Sequence, residues 1–339
     1  MIILRYLLFP FAVLYGWITS VRNFLYDSKI LKSYSFDVPV IVVGNLSVGG
    51  TGKTPQIEYL IRLLSPNYKL ATLSRGYKRK SKGFILANSN TTVEILGDEP
   101  FQIHQKFPQI QVAVDANRKN GIEQLLSSKL KPEVILLDDA FQHRQVKAGF
   151  YILLSAYADL FYNDFMLPKG NLRESRSGIK RANVIIITKC PKDLSEIAQK
   201  EIKVKIGAEV SVFFSYIDYD DLVYNQNESK KLSEIMSLDK LVVAGIAKPE
   251  PFFDYLKVSN ENCMVFPDHH FFTAKDIQQI EDKAKNKIII TTEKDFVRLS
   301  NQNLNAPIYY LPIKSSFFSN SMELDNKIKN YVGTSPRNR

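Results

Sequence analysis

The sequence predicts an α/β fold: a mostly parallel sheet with helices on both faces, followed by a second, smaller α/β domain. Three observations carry this expectation. Short apolar runs of strand length recur along the chain with helical stretches between them, the alternation of an open α/β sheet. Several runs are nearly continuous in apolar residues, the pattern of strands buried on both faces. With 339 residues, 45% of them hydrophobic, the chain exceeds one small core, so about two domains are expected.

The first segment, MIILRYLLFPFAVLYGWITSVRNFLYD (1–27), is almost wholly apolar or aromatic through Ile18, with Arg5 the only charge before Arg22. Arg5 and Pro10 make it a poor spanning helix, which needs roughly 20 apolar residues. Its aromatics, Tyr6, Phe9, Phe11, Tyr15, Trp17 and Phe24, mixed with arginines, suit a helix lying on a membrane surface. A terminal helix packed on the protein's own core is the alternative. The core domain is expected over 28–205 and opens with VPVIVV (38–43) as a buried strand. After the glycine-rich stretch that follows, PQIEYLIRLL (55–64) places Ile57, Leu60, Ile61 and Leu64 at helical spacing, and Pro55 is tolerated in the first turn. Strands follow at 69–73, 111–114, 134–137, 151–154 and 184–188. A charged helix over 193–205 and the alternating VSVFFSYIDYD (210–220) then change the texture. The smaller domain is placed over 206–335, with strands at 241–246, 263–266, 287–292 and 308–313.

The strand at 38–43, the loop VGNLSVGGTGKTP (43–55) and the helix after it form a phosphate-binding arrangement. A Gly, four free positions and Gly-Lys-Ser/Thr let backbone N–H groups cradle phosphates while the lysine reaches them. Gly52, Lys53 and Thr54 fit; Ser47 stands where the first glycine is usual, with Gly49 and Gly50 supplying close backbone approach. VILLDDAFQH (134–143) delivers Asp138 and Asp139 to the carboxyl end of a strand, on the same sheet edge, where an acid holds Mg²⁺; Thr54 adds its hydroxyl. TKCPKD (188–193) begins like a guanine-recognition motif but has Pro191 where the acid is required, which counts against a GTP switch. A kinase also needs a group that takes the acceptor's proton. GDEP (97–100) and PDHHFF (267–272) are the two polar clusters in apolar surroundings; the alternative is a helix cap at Asp98–Glu99 and surface histidines. A formal charge of +10 suits an anionic partner, whether nucleotide, nucleic acid or acidic membrane. Cys190 and Cys263 form no disulfide framework and have no metal-ligand spacing.

In order, GNLSVGGTGKTP, SRGYKRK, GDEP, DANR, LLDDAFQHR, LPKGNLRES, DHHFF and TTEKDFVRL, behind an apolar N-terminal helix, resemble the tetraacyldisaccharide 4'-kinase (lipid A 4'-kinase) family. The resemblance implies a P-loop NTPase-like fold with a second domain closing over the nucleotide. It implies transfer of the ATP γ-phosphate to the 4'-hydroxyl of a tetraacyl disaccharide 1-phosphate lipid at the cytoplasmic face of the bacterial inner membrane. By matching motif, Ser47, Val48, Gly49, Gly50, Thr51, Gly52, Lys53 and Thr54 bind ATP phosphates. Asp138 and Asp139 serve Mg²⁺. Asp98 is the base, and His269, the first of the histidine pair, is its partner. Arg75, Tyr77, Arg118, Gln142, His143, Asn171, Arg173 and Glu174 line the site. A peripheral monomer acting on lipid, with no nucleic-acid partner, is expected. The basic run at 74–83 lies beside the site or is a solvated loop. A soluble small-molecule kinase and a membrane-associated nucleotide switch are the rival classes.

Overall fold

The computed structural model describes residues 8–335 except 208, 269, 301, 303, 319 and 320. The expected membrane-interface helix is therefore described from residue 8 onward, and His269 lies outside the described residues. Two compact units are present: residues 1–217 with 315–339, and residues 218–314. This corrects the expected division into 1–27, 28–205 and 206–335. The strand at 210–220 pairs into the first sheet, and the last helix packs on the first unit's core, so the smaller unit is an insertion.

The first unit begins with α1 (Phe9–Asp27), β1 (Val40–Asn45), α2 (Lys53–Leu64), β2 (Leu70–Ser74), β3 (Ile85–Leu86), α3 (Val93–Leu96) and α4 (Asp98–Lys106). It continues through β4 (Gln111–Val114), α5 (Arg118–Ser127), β5 (Val134–Asp138), β6 (Phe150–Ala156), β7 (Val184–Thr188), α6 (Glu196–Ile206) and β8 (Ser211–Tyr219). The second unit contains β9 (Leu222–Tyr224), β10 (Ser229–Lys231), α7 (Leu232–Met236), β11 (Lys240–Ala244), α8 (Glu250–Leu256) and β12 (Cys263–Val265). After these come α9 (Ala274–Ala284), β13 (Ile288–Thr292), α10 (Glu293–Leu299) and β14 (Ile308–Leu311). The chain returns to the first unit through β15 (Ile313–Phe317) and α11 (Ser321–Gly333).

The first sheet runs β15-β8-β7-β6-β1-β5-β2-β4-β3. From β8 to β4 every pairing is parallel, with Val40 opposite Ile135 on one side of β1 and Ile41 opposite Phe150 on the other; β3 is antiparallel to β4. The period of two in β1 explains the layers. Val40 and Val42 face a core completed by Ile122 and Leu125 of α5 and Ile202 of α6. Ile41 and Val43 face the other core, completed by Ile57, Leu60, Ile61 and Leu64 of α2 and by Leu324, Ile328 and Val332 of α11. The parallel strands therefore discharge their loops on one edge.

In the second unit the sheet order is β10-β9-β14-β13-β11-β12, parallel from β14 to β12. Val242 and Ala244 pack with Phe252 and Leu256 of α8, whereas Leu241 and Val243 pack with Ile280 and Ala284 of α9.

Helix α1 departs from this economy. Ala12 is its buried residue, while Phe11 (61%), Trp17 (66%) and Phe24 (63%) stand exposed, with Leu14, Ile18 and Val21 on the same side. Among the described residues, no helix is long and apolar enough to cross a membrane.

Candidate functional site

The loop between β1 and α2 takes its left-handed turns at Gly49 (φ 105°) and Gly52 (φ 79°), where only glycine escapes the Cβ penalty. Ser47 needs no such freedom. It forms a bridge with Leu172, Val48 N donates to Asn171 O at 2.8 Å, and Arg173 N donates to Leu46 O at 2.7 Å. The segment 171–173 thus holds the loop's first half extended, which is the physical reason a serine serves there. The second half rests on the end of β7: Thr188 Oγ1 donates to Thr51 O at 2.8 Å.

Lys53, the first residue of α2, places Nζ 3.7 Å from Asp139 Oδ1. Arg173 Nη1 reaches the same carboxylate at 3.0 and 3.2 Å. Burial opposes ionisation of Asp139, but Lys53 and Arg173 outweigh it and hold the carboxyl below its usual range. Asp138, one residue earlier, has the opposite balance. Burial pushes its carboxyl up to about 6, Lys53 lowers it, and the neighbouring Asp139 and Glu99 raise it further. Its Oδ1 is closed off from solvent and has no hydrogen-bond partner. A carboxylate oxygen without a donor, close to Lys53 of the phosphate loop, fits a bound cation. Among the described residues no group of three or more His, Cys, Asp or Glu is arranged to hold a metal ion. A Mg²⁺ ion here would therefore take most of its oxygens from nucleotide and water, as that ion commonly does.

Around this centre, Arg118 opens α5 at 3% exposure and donates to Asp115 O at 2.6 Å and Asp138 O at 3.4 Å. Burial lowers its guanidinium to about 10, so it stays charged at neutral pH. Burial, with the cationic Arg118, Arg22 and Arg75 nearby, pushes His143 down to about 4 and keeps it neutral. Arg75 follows β2 and is exposed, as is Tyr77. Asp98 begins α4 with Gly97 as the N-cap residue, so Asp98 and Glu99 lie in the first turn, where helix N–H groups favour an anion. Gly97 sits at φ 90°, and a Cβ there would meet Tyr77 O at 2.9 Å. The SRGYKRK and GDEP segments are thus packed backbone to backbone.

Gln142 and Glu174, expected to line the site, are partners of each other. Gln142 Nε2 donates to Glu174 Oε1 and to Asn45 O, both at 2.8 Å. Glu174 is 2% exposed and also accepts two bonds from Arg181 Nη2, at 2.8 and 2.7 Å. Asn171 is exposed. The structure therefore gathers the phosphate loop, Asp138, Asp139, Arg118, Gln142, Arg173 and Glu174 in the first unit. His269 is outside this description. His270, in the second unit, pairs with Asp276 at 3.0 Å and stacks on Phe266.

Sequence reasoning missed three participants. Arg181 carries a buried ion pair that no motif announces. Thr188, expected as a strand end and the start of an incomplete guanine motif, also buttresses the loop. Lys189 beside it has φ 56°, and its Nζ lies 3.6 Å from where a Cβ on Gly50 would stand.

The family model for Tetraacyldisaccharide-1-P 4'-kinase matches residues 4–333. The tetraacyldisaccharide 4'-kinase of Flavobacterium psychrophilum is 66% identical, over 99% of both chains. That of Bacteroides thetaiotaomicron is 45% identical, over 98% of this chain and 94% of its own. A crystal structure of LpxK from Aquifex aeolicus in complex with ATP superimposes with a TM-score of 0.81 at 32% identity, covering 97% of this chain and 99% of that one. With a family model matched over nearly the whole chain and relatives this similar, this chain belongs to the tetraacyldisaccharide-1-P 4'-kinase family.

Proposed function

We propose that this protein transfers the γ-phosphate of ATP to the 4'-hydroxyl of a tetraacyl disaccharide 1-phosphate, a step of lipid A biosynthesis. The observation that carries this is the convergence of the glycine-rich loop, Lys53, Asp139 and Arg173 on one sheet edge in a chain of this family. Lys53 and the loop amides hold the phosphates, and Arg173 and Arg118 add charge where the transferring group becomes most anionic. Asp98 accepts the proton as the sugar oxygen attacks phosphorus. The bond from the γ-phosphorus to the bridging oxygen breaks, and ADP leaves. In this reading His269 is the partner that orients Asp98. Thr54, Asp138 and Asp139 would hold Mg²⁺, which neutralises charge on the phosphates when bound. In this reading the protein is a peripheral monomer at the cytoplasmic face of the inner membrane, and the exposed apolar side of α1 supports the membrane attachment.

The test is transfer from γ-labelled ATP with Mg²⁺ to tetraacyl disaccharide 1-phosphate in detergent micelles. Lipid labelling by wild type, reduced about 10²–10⁴-fold by Asp98→Ala and comparably suppressed by Lys53→Ala, supports the full reading. Labelling that survives Asp98→Ala refutes the choice of base. No labelling by a folded, ATP-binding wild type discards the lipid acceptor.

A further inference from the structure

Helix α1 has a second face that the membrane reading does not use. At 100° per residue, Leu14, Trp17, Ile18, Val21 and Phe24 fall within an arc of about 120°, Asn23 and Tyr26 lie opposite it with the buried Ala12, and Tyr15 and Arg22 lie at its border. Tyr15, Arg22 and Asn23 point at the two loops that build the site. Tyr15 Oη donates to Arg173 O at 3.0 Å, the carbonyl of the residue whose guanidinium grips Asp139. Asn23 Nδ2 donates to Glu174 Oε2 at 3.0 Å, the buried acid bonded to Gln142. Arg22 Nη2 donates to Gln142 O at 2.9 Å. Arg144, on the loop that carries Asp139, returns a bond to Asn23 O at 2.8 Å.

An anchor alone requires none of this; a hydrophobic face on any tether would reach a membrane. Here the helix is bonded to the residues immediately beside Arg173 and to the loop holding Asp139, so a shift of α1 along its axis moves the Arg173–Asp139 pair. We propose that Tyr15 and Asn23 are positioning residues through which the seating of α1 in lipid fixes the Arg173–Asp139–Lys53 arrangement, so that surface docking and nucleotide readiness are coupled. The proposal rests on the lipid-kinase reading for its acceptor, but the coupling itself concerns only α1 and the phosphate site.

The experiment uses full-length protein carrying Asn23→Ala, Tyr15→Phe or both, with far-UV circular dichroism and melting midpoint as controls for folding. Three readouts are taken: partition onto phosphatidylglycerol vesicles, kcat and KM for the lipid acceptor in micelles, and affinity for a fluorescent ATP analogue with and without vesicles. Expected are unchanged partition, an acceptor KM within about twofold, and a kcat lowered ~10-fold, the scale of one lost hydrogen bond to a charged group. Vesicles should tighten analogue binding in wild type and not in the double variant. Unchanged kcat and equal vesicle response in the double variant overturn the coupling. So does a loss of activity that tracks a loss of vesicle partition, because α1 would then be only an anchor. If wild type labels no lipid yet its vesicle response vanishes with Asn23→Ala, the acceptor reading fails and the coupling stands.

Discussion

Removing Arg181 tests what holds the site's framework together. Its Nη2 gives both of its bonds to Glu174, whose side chain is 2% exposed, while its own side chain is 19% exposed and lies over the Phe141 ring at 4.5 Å. Arg181→Met keeps the aliphatic packing and strands a buried carboxylate with two neutral donors, Asn23 and Gln142. Breaking a buried pair from one side costs roughly 3–5 kcal/mol, and the lost cation–π contact about 0.5–2 kcal/mol. Glu174→Gln removes the charge instead, leaving Arg181 partly solvated, and should cost less, about 1–3 kcal/mol. Combining the two removes the stranded charge, so the double variant should lose at least ~2 kcal/mol less than the sum of the single losses. The assay is urea unfolding followed by far-UV circular dichroism, with amide exchange over 139–146 and 171–181 to localise the effect to the first unit. A cost below about 1 kcal/mol for Arg181→Met, or strict additivity, would refute the reasoning and make the pair a solvated contact.

Other expectations follow from the same geometry. Ile328→Ala in α11, at a fully buried position facing α2, should destabilise the first unit by about 2–5 kcal/mol in urea unfolding while sparing exchange protection in the second unit. Trp17→Ser with Phe24→Ser should lower partition onto anionic vesicles by more than ~10-fold, since each side chain carries about 1.5–3 kcal/mol of burial, without altering the melting midpoint. His143, pushed down to about 4 chiefly by burial, should show no imidazole titration between pH 5.5 and 8 by NMR. Its folded state binds fewer protons than the unfolded chain between about 6.5 and about 4. Stability from this group is thus present above 6.5 and lost as pH falls through that window, and His143→Gln should flatten that part of the acid-unfolding curve.

Much of the first sheet was legible because its strands are continuous apolar runs that a parallel sheet buries on both sides, as β1, β5 and β7 show. The phosphate loop and the paired Asp138–Asp139 were legible because their chemistry demands particular residues at fixed spacing. Pairing partners were not. Val210 to Asp220 alternates as a half-buried strand, but nothing local says that it joins β7, with Val184 opposite Ser211. Helix α11 was not among the expected elements, and which core receives its Leu324, Ile328 and Val332 is set by contacts between distant parts of the chain. Likewise Glu174 and Gln142 read as ligands of a substrate because they are polar residues near a motif; that each is satisfied by the other depends on contacts between distant loops. Ser47 looked like a departure from the loop pattern until the backbone of 171–173 was seen to hold it.

The return of the chain to the first unit also sets an order of assembly. The second unit is one contiguous stretch with its own two-sided core, so it can complete itself during synthesis while the first unit still lacks α11. Its ends feed β8 and β15, which are neighbours in the first sheet. Once the insertion is folded, it therefore works as a clasp that brings the last helix close to the face it must cover. The entropy of closing that long connection is met by the insertion's own folding rather than charged to the first unit.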